Sequence, residues 1–199
     1  MHVFSYRKLR LAVFDEVYEP AEDSFLLAKF AANLKGSVLE IGCGTGIASL
    51  ANAINNPENT VIGTDIDPIA VENSVYNSKM NGIENAKFFK SNIFSAVRGK
   101  FDCILFNPPY LPTTKSEKLS SQLNLAYDGG KSGRRILNQF LTTFERHLKP
   151  KGQVFLIHSS LNDLGKTKKF LAKRHYECVV AGQESFFFET ICLLRVYRR

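Results

Sequence analysis

Apolar residues recur along this chain in short runs of five or six, and most are followed by a longer stretch with helical spacing. Runs at 37–41, 60–64, 86–90, 101–106 and 153–158 predict strands. The stretches at 45–54, 68–80, 133–148 and 164–174 predict helices. Pro68 suits a first helical turn, Asn81-Gly82 a stop, and Pro150 ends the 133–148 helix. Upstream, Phe25, Leu26, Phe30 and Leu34 repeat at helical spacing behind Glu22 and Asp23, two acids that favour the positive end of a helix dipole. The last two runs, 176–181 and 190–196, are separated only by a short connection around 182–185. That is too short for a crossover helix, so these strands pair antiparallel.

Repeated β-α units imply a parallel sheet with helices on both faces. With one antiparallel strand near the C-terminus, this α/β order resembles the Rossmann-like class I S-adenosylmethionine-dependent methyltransferases. The 199 residues predict one domain, with 1–35 as an N-terminal segment and 36–199 as the core. Residues are 44% hydrophobic and 23% charged, which excludes a largely disordered chain. Cys43, Cys103, Cys178 and Cys192 are too far apart for zinc or redox spacing and fit a reducing compartment. No secretory leader and no apolar run of about 20 residues is present, so a cytoplasmic location away from membranes is expected. The net charge of +7, clustered at 131–151 and 166–175, fits either a solvated surface or attraction to nucleic acid.

The first predicted core strand runs into Glu40-Ile41-Gly42-Cys43-Gly44-Thr45-Gly46. Glycines at alternate positions permit a tight turn and close approach of a ligand to the backbone. Ile47 stands where a dinucleotide fingerprint would place its last glycine, which argues against a nicotinamide cofactor. Asp65, ending the second core strand with Ile66 after it, can accept both hydroxyls of a ribose. Glu40 is placed to face a cationic amino-acid group. Amino acid, ribose and glycine loop together describe S-adenosyl-L-methionine. Asn92 and Ile93 follow the next strand, and the Asn92 amide oxygen can accept the adenine amino group. Asp67 reads as a helix cap or a weaker ligand contact. Cys43 reads as small filler, not a nucleophile.

The fourth core strand ends in Asn107-Pro108-Pro109-Tyr110, where the reactive methyl should lie. An amide or exocyclic amino nitrogen is a poor nucleophile because its lone pair is delocalised. Accepting both of its N–H hydrogens aims that lone pair, and Asn107 Oδ1 and the Pro108 carbonyl are suited to do so. Consecutive prolines remove competing donors and stiffen the carbonyl direction. Tyr110 can stack on a flat target. Asn107 thus serves as catalytic residue and as a contact to the cofactor. Adenine N6, cytosine N4 and a glutamine amide all satisfy this geometry, although 111–132 leaves room for a substrate loop and not for a target-recognition domain.

The segments Val17-Tyr18-Glu19-Pro20-Ala21-Glu22-Asp23-Ser24, Glu40–Gly46, Asn107–Tyr110 and Asp128-Gly129-Gly130-Lys131-Ser132-Gly133, in that order, resemble the HemK-type protein-glutamine methyltransferases. The short N-terminus resembles the eukaryotic and archaeal branch. The resemblance implies methylation of the glutamine in the Gly-Gly-Gln motif of a class 1 translation release factor. It implies that the N-terminal segment closes over the cofactor through Tyr18, Asp23 and Ser24. It also implies a small zinc-binding activator covering an apolar sheet edge, with Val61-Ile62-Gly63 and Phe88-Phe89 as an edge or as core. The competing substrate is adenine N6 of DNA or RNA.

Overall fold

The structure is a computed structural model describing residues 1–112 and 127–199. An antiparallel hairpin, β1 (His2–Tyr6) and β2 (Leu9–Val13), precedes helix α1 (Glu22–Ala31). The core then alternates β3 (Ser37–Ile41), α2 (Ile47–Asn55), β4 (Thr60–Asp65), α3 (Pro68–Met80), β5 (Ala86–Lys90) and β6 (Phe101–Phe106). Then come α4 (Arg135–Thr143), a 3-10 turn (Phe144–His147), β7 (Leu148–Ser159), a second 3-10 turn (Ser160–Asn162), α5 (Leu164–Ala172), β8 (Tyr176–Ser185) and β9 (Thr190–Arg198).

Seven strands form one sheet in the order β5-β4-β3-β6-β7-β9-β8. All neighbours are parallel except β9, which runs antiparallel between β7 and β8. The strand order reverses beside β3, and the carboxyl edge there is where open α/β sheets bind ligands. Alternate residues of each central strand feed opposite cores. Val38 and Leu105 pack with Leu27, Ala31 and Leu50 of α1 and α2. Leu39, Ile104 and Phe106 pack with Phe140 and Phe144 on the other face. Burial on both faces is why these strands read as unbroken apolar runs.

The hairpin is absent from the sequence reading, and an asparagine ladder holds it in place. Asn73, Asn77 and Asn81 lie at four-residue spacing on one face of α3, and their amides act as a substitute strand along β2. Asn81 accepts from Arg10 N at 2.9 Å and donates to Arg10 O at 2.7 Å. Asn77 accepts from Ala12 N at 2.8 Å and donates to Ala12 O at 2.9 Å. Asn73 accepts from Phe14 N at 2.9 Å and donates to Ala12 O at 2.8 Å. Each outward-facing backbone group of β2 thereby gains a partner that an edge strand would lack.

Several predicted boundaries move. The 45–54 helix begins only at Ile47, because Gly46 holds a left-handed conformation at φ 81°. The 133–148 helix gives way to a 3-10 turn, and Leu148 already belongs to β7. Pro150 is tolerated in that strand because the register jumps from Phe101↔Leu148 to Cys103↔Gln153, so it removes no ladder bond. Residues 182–185 continue β8 past an irregularity at Val180/Gly182, and the turn lies at 186–189. The proposed apolar edge at Val61-Ile62-Gly63 is interior, since β4 is paired on both sides and Val61 is fully buried. Phe88 packs over Gly63, where a Cβ would meet its ring at 2.5 Å. Most of the 111–132 insertion lies outside the described residues.

The ladder sets a stability expectation. Asn77→Ala leaves the buried Ala12 N–H without a partner and should cost about 1–3 kcal/mol. Asn81→Ala, at the solvent end, should cost less than about 1 kcal/mol. Urea unfolding of both variants checks the ranking, and equal losses would contradict the ladder's role.

Candidate active site

The carboxyl ends of β3, β4 and β6 open onto a cavity of about 580 Å³, within the range of small-molecule sites. It is lined by Tyr18, Asp23 and Ser24 from the N-terminal segment and by Glu40, Gly42 and Gly44 from the glycine loop. Asp65, Ile66, Asn92, Ile93, Asn107, Pro108 and Tyr110 complete the expected set. Gly46 is the exception. It does not line the cavity, but starts α2 against Ser74, whose Oγ would lie 3.0 Å from an added Cβ. Sequence reading passed over Ile47, Phe106, Tyr127, Arg135 and Gln139, which also line it.

The loop takes its shape from positive φ at Gly42, Gly44 and Gly46. It is fastened from both sides. Gly44 N donates to Asp65 Oδ2 at 2.9 Å, and Ser74 Oγ donates to Gly44 O at 2.8 Å. Cys43 N donates to Thr64 O, while burial, with the charges of Asp65 and Glu40 adding to it, pushes the Cys43 thiol well up and leaves it inert. A Cβ built on Gly44 would meet nothing within 4 Å, so the loop faces open space there. Asp65 Oδ1 also accepts from Asp67 N, and Asp67 caps α3 by accepting from Ile69 N. Asp65 therefore tensions the loop as well as facing the cavity.

Glu40 is 3% exposed and accepts both the backbone N–H and the hydroxyl of Ser49 through Oε2. Burial outweighs these bonds and pushes its carboxyl up to about 7. Asp65 is raised for the same reason, with its backbone bonds opposing. Two buried acids on one wall, each disfavoured in its charged form, suit a ligand bringing a cation and hydroxyl donors. Ile93 holds φ 50°, which is rare for a β-branched residue and typical of strain kept at a binding site.

The hub of the other wall is Asp23, 3% exposed. Its Oδ1 accepts from Ser24 N at 2.6 Å, Ser24 Oγ at 3.1 Å and Tyr18 Oη at 3.2 Å. Its Oδ2 accepts from Asn107 Nδ2 at 3.0 Å and Tyr110 Oη at 3.2 Å. With the Asn107 nitrogen committed to Asp23, its oxygen Oδ1 is shielded from solvent and has no donor among the described residues. Burial first, and then the Asp23 charge, hold the Tyr18 and Tyr110 phenols well above their ordinary range, so both remain donors. The 128–133 turn braces this motif. Gly133 packs so closely that a Cβ would lie 2.2 Å from Tyr110 O, and Asn162 Nδ2 donates to that same carbonyl at 2.8 Å.

Glu40 yields a pH expectation. Above the ordinary carboxylate pKa, the folded protein without ligand keeps a proton at Glu40 that the unfolded chain has lost. The stability held at pH 4 therefore falls as pH rises toward about 7 and levels off above it. Glu40→Gln should remove about 3 kcal/mol of that fall between pH 5 and pH 8. Urea unfolding across this range, parent against variant, measures it, and parallel profiles would contradict the assignment.

Comparison with known proteins identifies the family. The Methyltransferase small domain matches residues 17–124. A provisionally named protein N5-glutamine methyltransferase of Methanocaldococcus jannaschii is 42% identical over 96% of each chain. The human methyltransferase HEMK2 is 30% identical, covering 92% of this chain and 90% of its own. Among solved structures, the E. cuniculi Mtq2–Trm112 complex, described as responsible for methylation of the eRF1 translation termination factor, superposes with a TM-score of 0.71. It is 21% identical and covers 92% of this chain and 99% of that one, a likeness of fold. With that domain matched over more than half its length and relatives aligned nearly end to end, this chain belongs to the HemK-type S-adenosylmethionine-dependent methyltransferases, in their eukaryotic and archaeal branch.

Proposed function

We propose that the enzyme methylates the side-chain amide nitrogen of a protein glutamine, that of the Gly-Gly-Gln motif in a class 1 translation release factor. The observation that carries this reading is the orphaned Asn107 Oδ1, held beside the cavity by the bond from Asn107 Nδ2 to Asp23. A buried acceptor without a donor is costly, and a substrate N–H would satisfy it. The names borne by the M. jannaschii and E. cuniculi relatives support the same substrate class.

Glu40, Gly42, Gly44, Asp65, Ile66, Asn92 and Ile93 would hold S-adenosylmethionine, with Tyr18, Asp23 and Ser24 closing from the N-terminal side. Glu40 would face its ammonium group and Asp65 its ribose hydroxyls. Bound there, S-adenosylmethionine supplies an electrophilic methyl carbon on a sulfonium. Asn107 Oδ1 would accept one N–H of the substrate amide and the Pro108 carbonyl the other, which fixes the amide plane and aims the nitrogen lone pair at the methyl carbon. Tyr110 packs on the flat amide. The proton leaves to water after the N–C bond forms, so no side chain need act as a general base. Rate then comes from orientation and electrostatics. A small activator subunit of the kind found with Mtq2 would cover the free edge at β5, the edge strand bearing half-buried Phe88 and Phe89.

Peptide mass spectrometry of a class 1 release factor, incubated with enzyme and S-adenosylmethionine with and without such an activator, should find one methyl on the Gly-Gly-Gln glutamine. Methyl on adenine in parallel DNA and RNA incubations, with none on the release factor, would replace this substrate. Asn107→Ala should lower kcat at least 100-fold with cofactor affinity within about threefold. Asp23→Ala should also lower kcat, by about 10- to 100-fold, through a misplaced Asn107. Retention of full kcat by Asn107→Ala would remove the orientation mechanism.

A further inference from the structure

The turn between β8 and β9 carries three consecutive phenylalanines on the surface. Phe187 is 92% exposed, Phe188 86% and Phe186 43%. The rings of Phe187 and Phe188 meet edge to face at 4.6 Å. The turn is built, since Phe186 N donates to Glu189 O at 2.7 Å. Single exposed apolar residues need no explanation, but a contiguous aromatic cluster marks an interaction surface.

Topology places this cluster at the catalytic edge. β9 runs antiparallel to β7 with Ser159 opposite Ile191, so the turn projects beyond the carboxyl end of β7. Thr190 N donates to Ser160 Oγ at 3.1 Å, and Asn162, two residues on, donates to the Tyr110 carbonyl. Leu161, between them, is half exposed and extends the apolar surface toward the Asn-Pro-Pro-Tyr motif. Glu189 connects the two regions. Burial first, then the charge of Asp23, with smaller contributions from Tyr18 and Glu189, raises the Tyr110 phenol, and Glu189 Oε1 is shielded with no donor among the described residues. A carboxylate oxygen in that state, between an aromatic tip and the site, suits a backbone N–H arriving with a polypeptide.

We propose that Phe186, Phe187 and Phe188, with Leu161, form the surface on which the substrate protein docks while its acceptor side chain enters the cavity. This rests on the reading that the acceptor belongs to a protein. The site must admit a side chain yet leave the substrate's main chain outside, so the adjoining surface has to grip polypeptide. Aromatic side chains provide large, rigid contact area for such a grip. The binding contribution is uniform between ground and transition states, so its loss should appear in KM and not in kcat.

The test is F187S/F188S beside the conservative F187L/F188L, both remote from the cavity lining. Binding of a class 1 release factor is measured directly, and methylation kinetics separately. The serine variant should weaken binding and raise KM about tenfold or more, with kcat and cofactor affinity within twofold, and the leucine variant should recover most of the loss. Binding and KM unchanged in the serine variant would overturn the docking surface. A parent that binds the release factor through the tip but methylates no glutamine would sink the functional reading and keep the docking surface. A parent that does not bind it sinks the docking surface. A parent that self-associates, with F187S/F188S monomeric and unaltered toward substrate, would assign the tip to a second copy of the chain and overturn the proposal.

Discussion

The buried Asp23 carboxylate governs one wall of the cavity. It accepts hydrogen bonds from the backbone N–H and hydroxyl of Ser24, the Tyr18 and Tyr110 phenols and the Asn107 amide. Burying a carboxylate is expensive unless donors surround it, so removing one donor disturbs the others. The arrangement also breaks the symmetry of Asn107. An amide side chain can face either way, but an acceptor-only partner fixes its nitrogen inward and leaves its oxygen as the free group. The polarity of the Asn107 side chain is thus set from 84 residues away in sequence.

Asp23 can do this only if α1 is held in place, and the hairpin and its ladder contribute to that. Tyr6 stacks on Phe25 at 5.5 Å and its hydroxyl donates to Phe25 O, joining β1 to the first turns of α1. The hairpin is in turn fixed to α3 by Asn73, Asn77 and Asn81. The same helix holds the glycine loop, through Ser74 to Gly44 O and Asn77 to Thr45 O. One helix face therefore registers the glycine loop and the N-terminal segment against each other. Its fully buried Asn73, Ser74 and Asn77 are positional constraints and not a solvated surface.

The sheet was legible in the sequence because strands buried on both faces must be apolar throughout. The positions of Pro68 and Asn81-Gly82 bounded α3 for equally local reasons. The hairpin was not legible, since its two five-residue strands meet at a charged Arg7-Lys8 turn and draw their support from side chains some 60 residues away. Pro150 misled because its strand has a bulge where it falls. Asp23 was visible as a candidate, but only as a helix-initiating acid or cofactor contact. Its bond to Asn107 depends on tertiary placement. Gly46 was assigned to the site by its spacing, yet its conformation serves the start of α2.

The two walls of the cavity follow opposite electrostatic rules, and that opposition accounts for the site's division of labour. On the loop wall, Glu40 and Asp65 are raised by burial, so a cationic, hydroxyl-bearing ligand relieves what the empty fold leaves unfavourable. On the motif wall, Asp23 is already surrounded by donors, and the unmet demand has been passed to a neutral amide oxygen. On the proposed reading, a neutral acceptor there would align a neutral substrate amide without attracting a cation in its place. Charge would thus be directed to the side where the cofactor brings charge, and direction without charge to the side where the nucleophile is aimed.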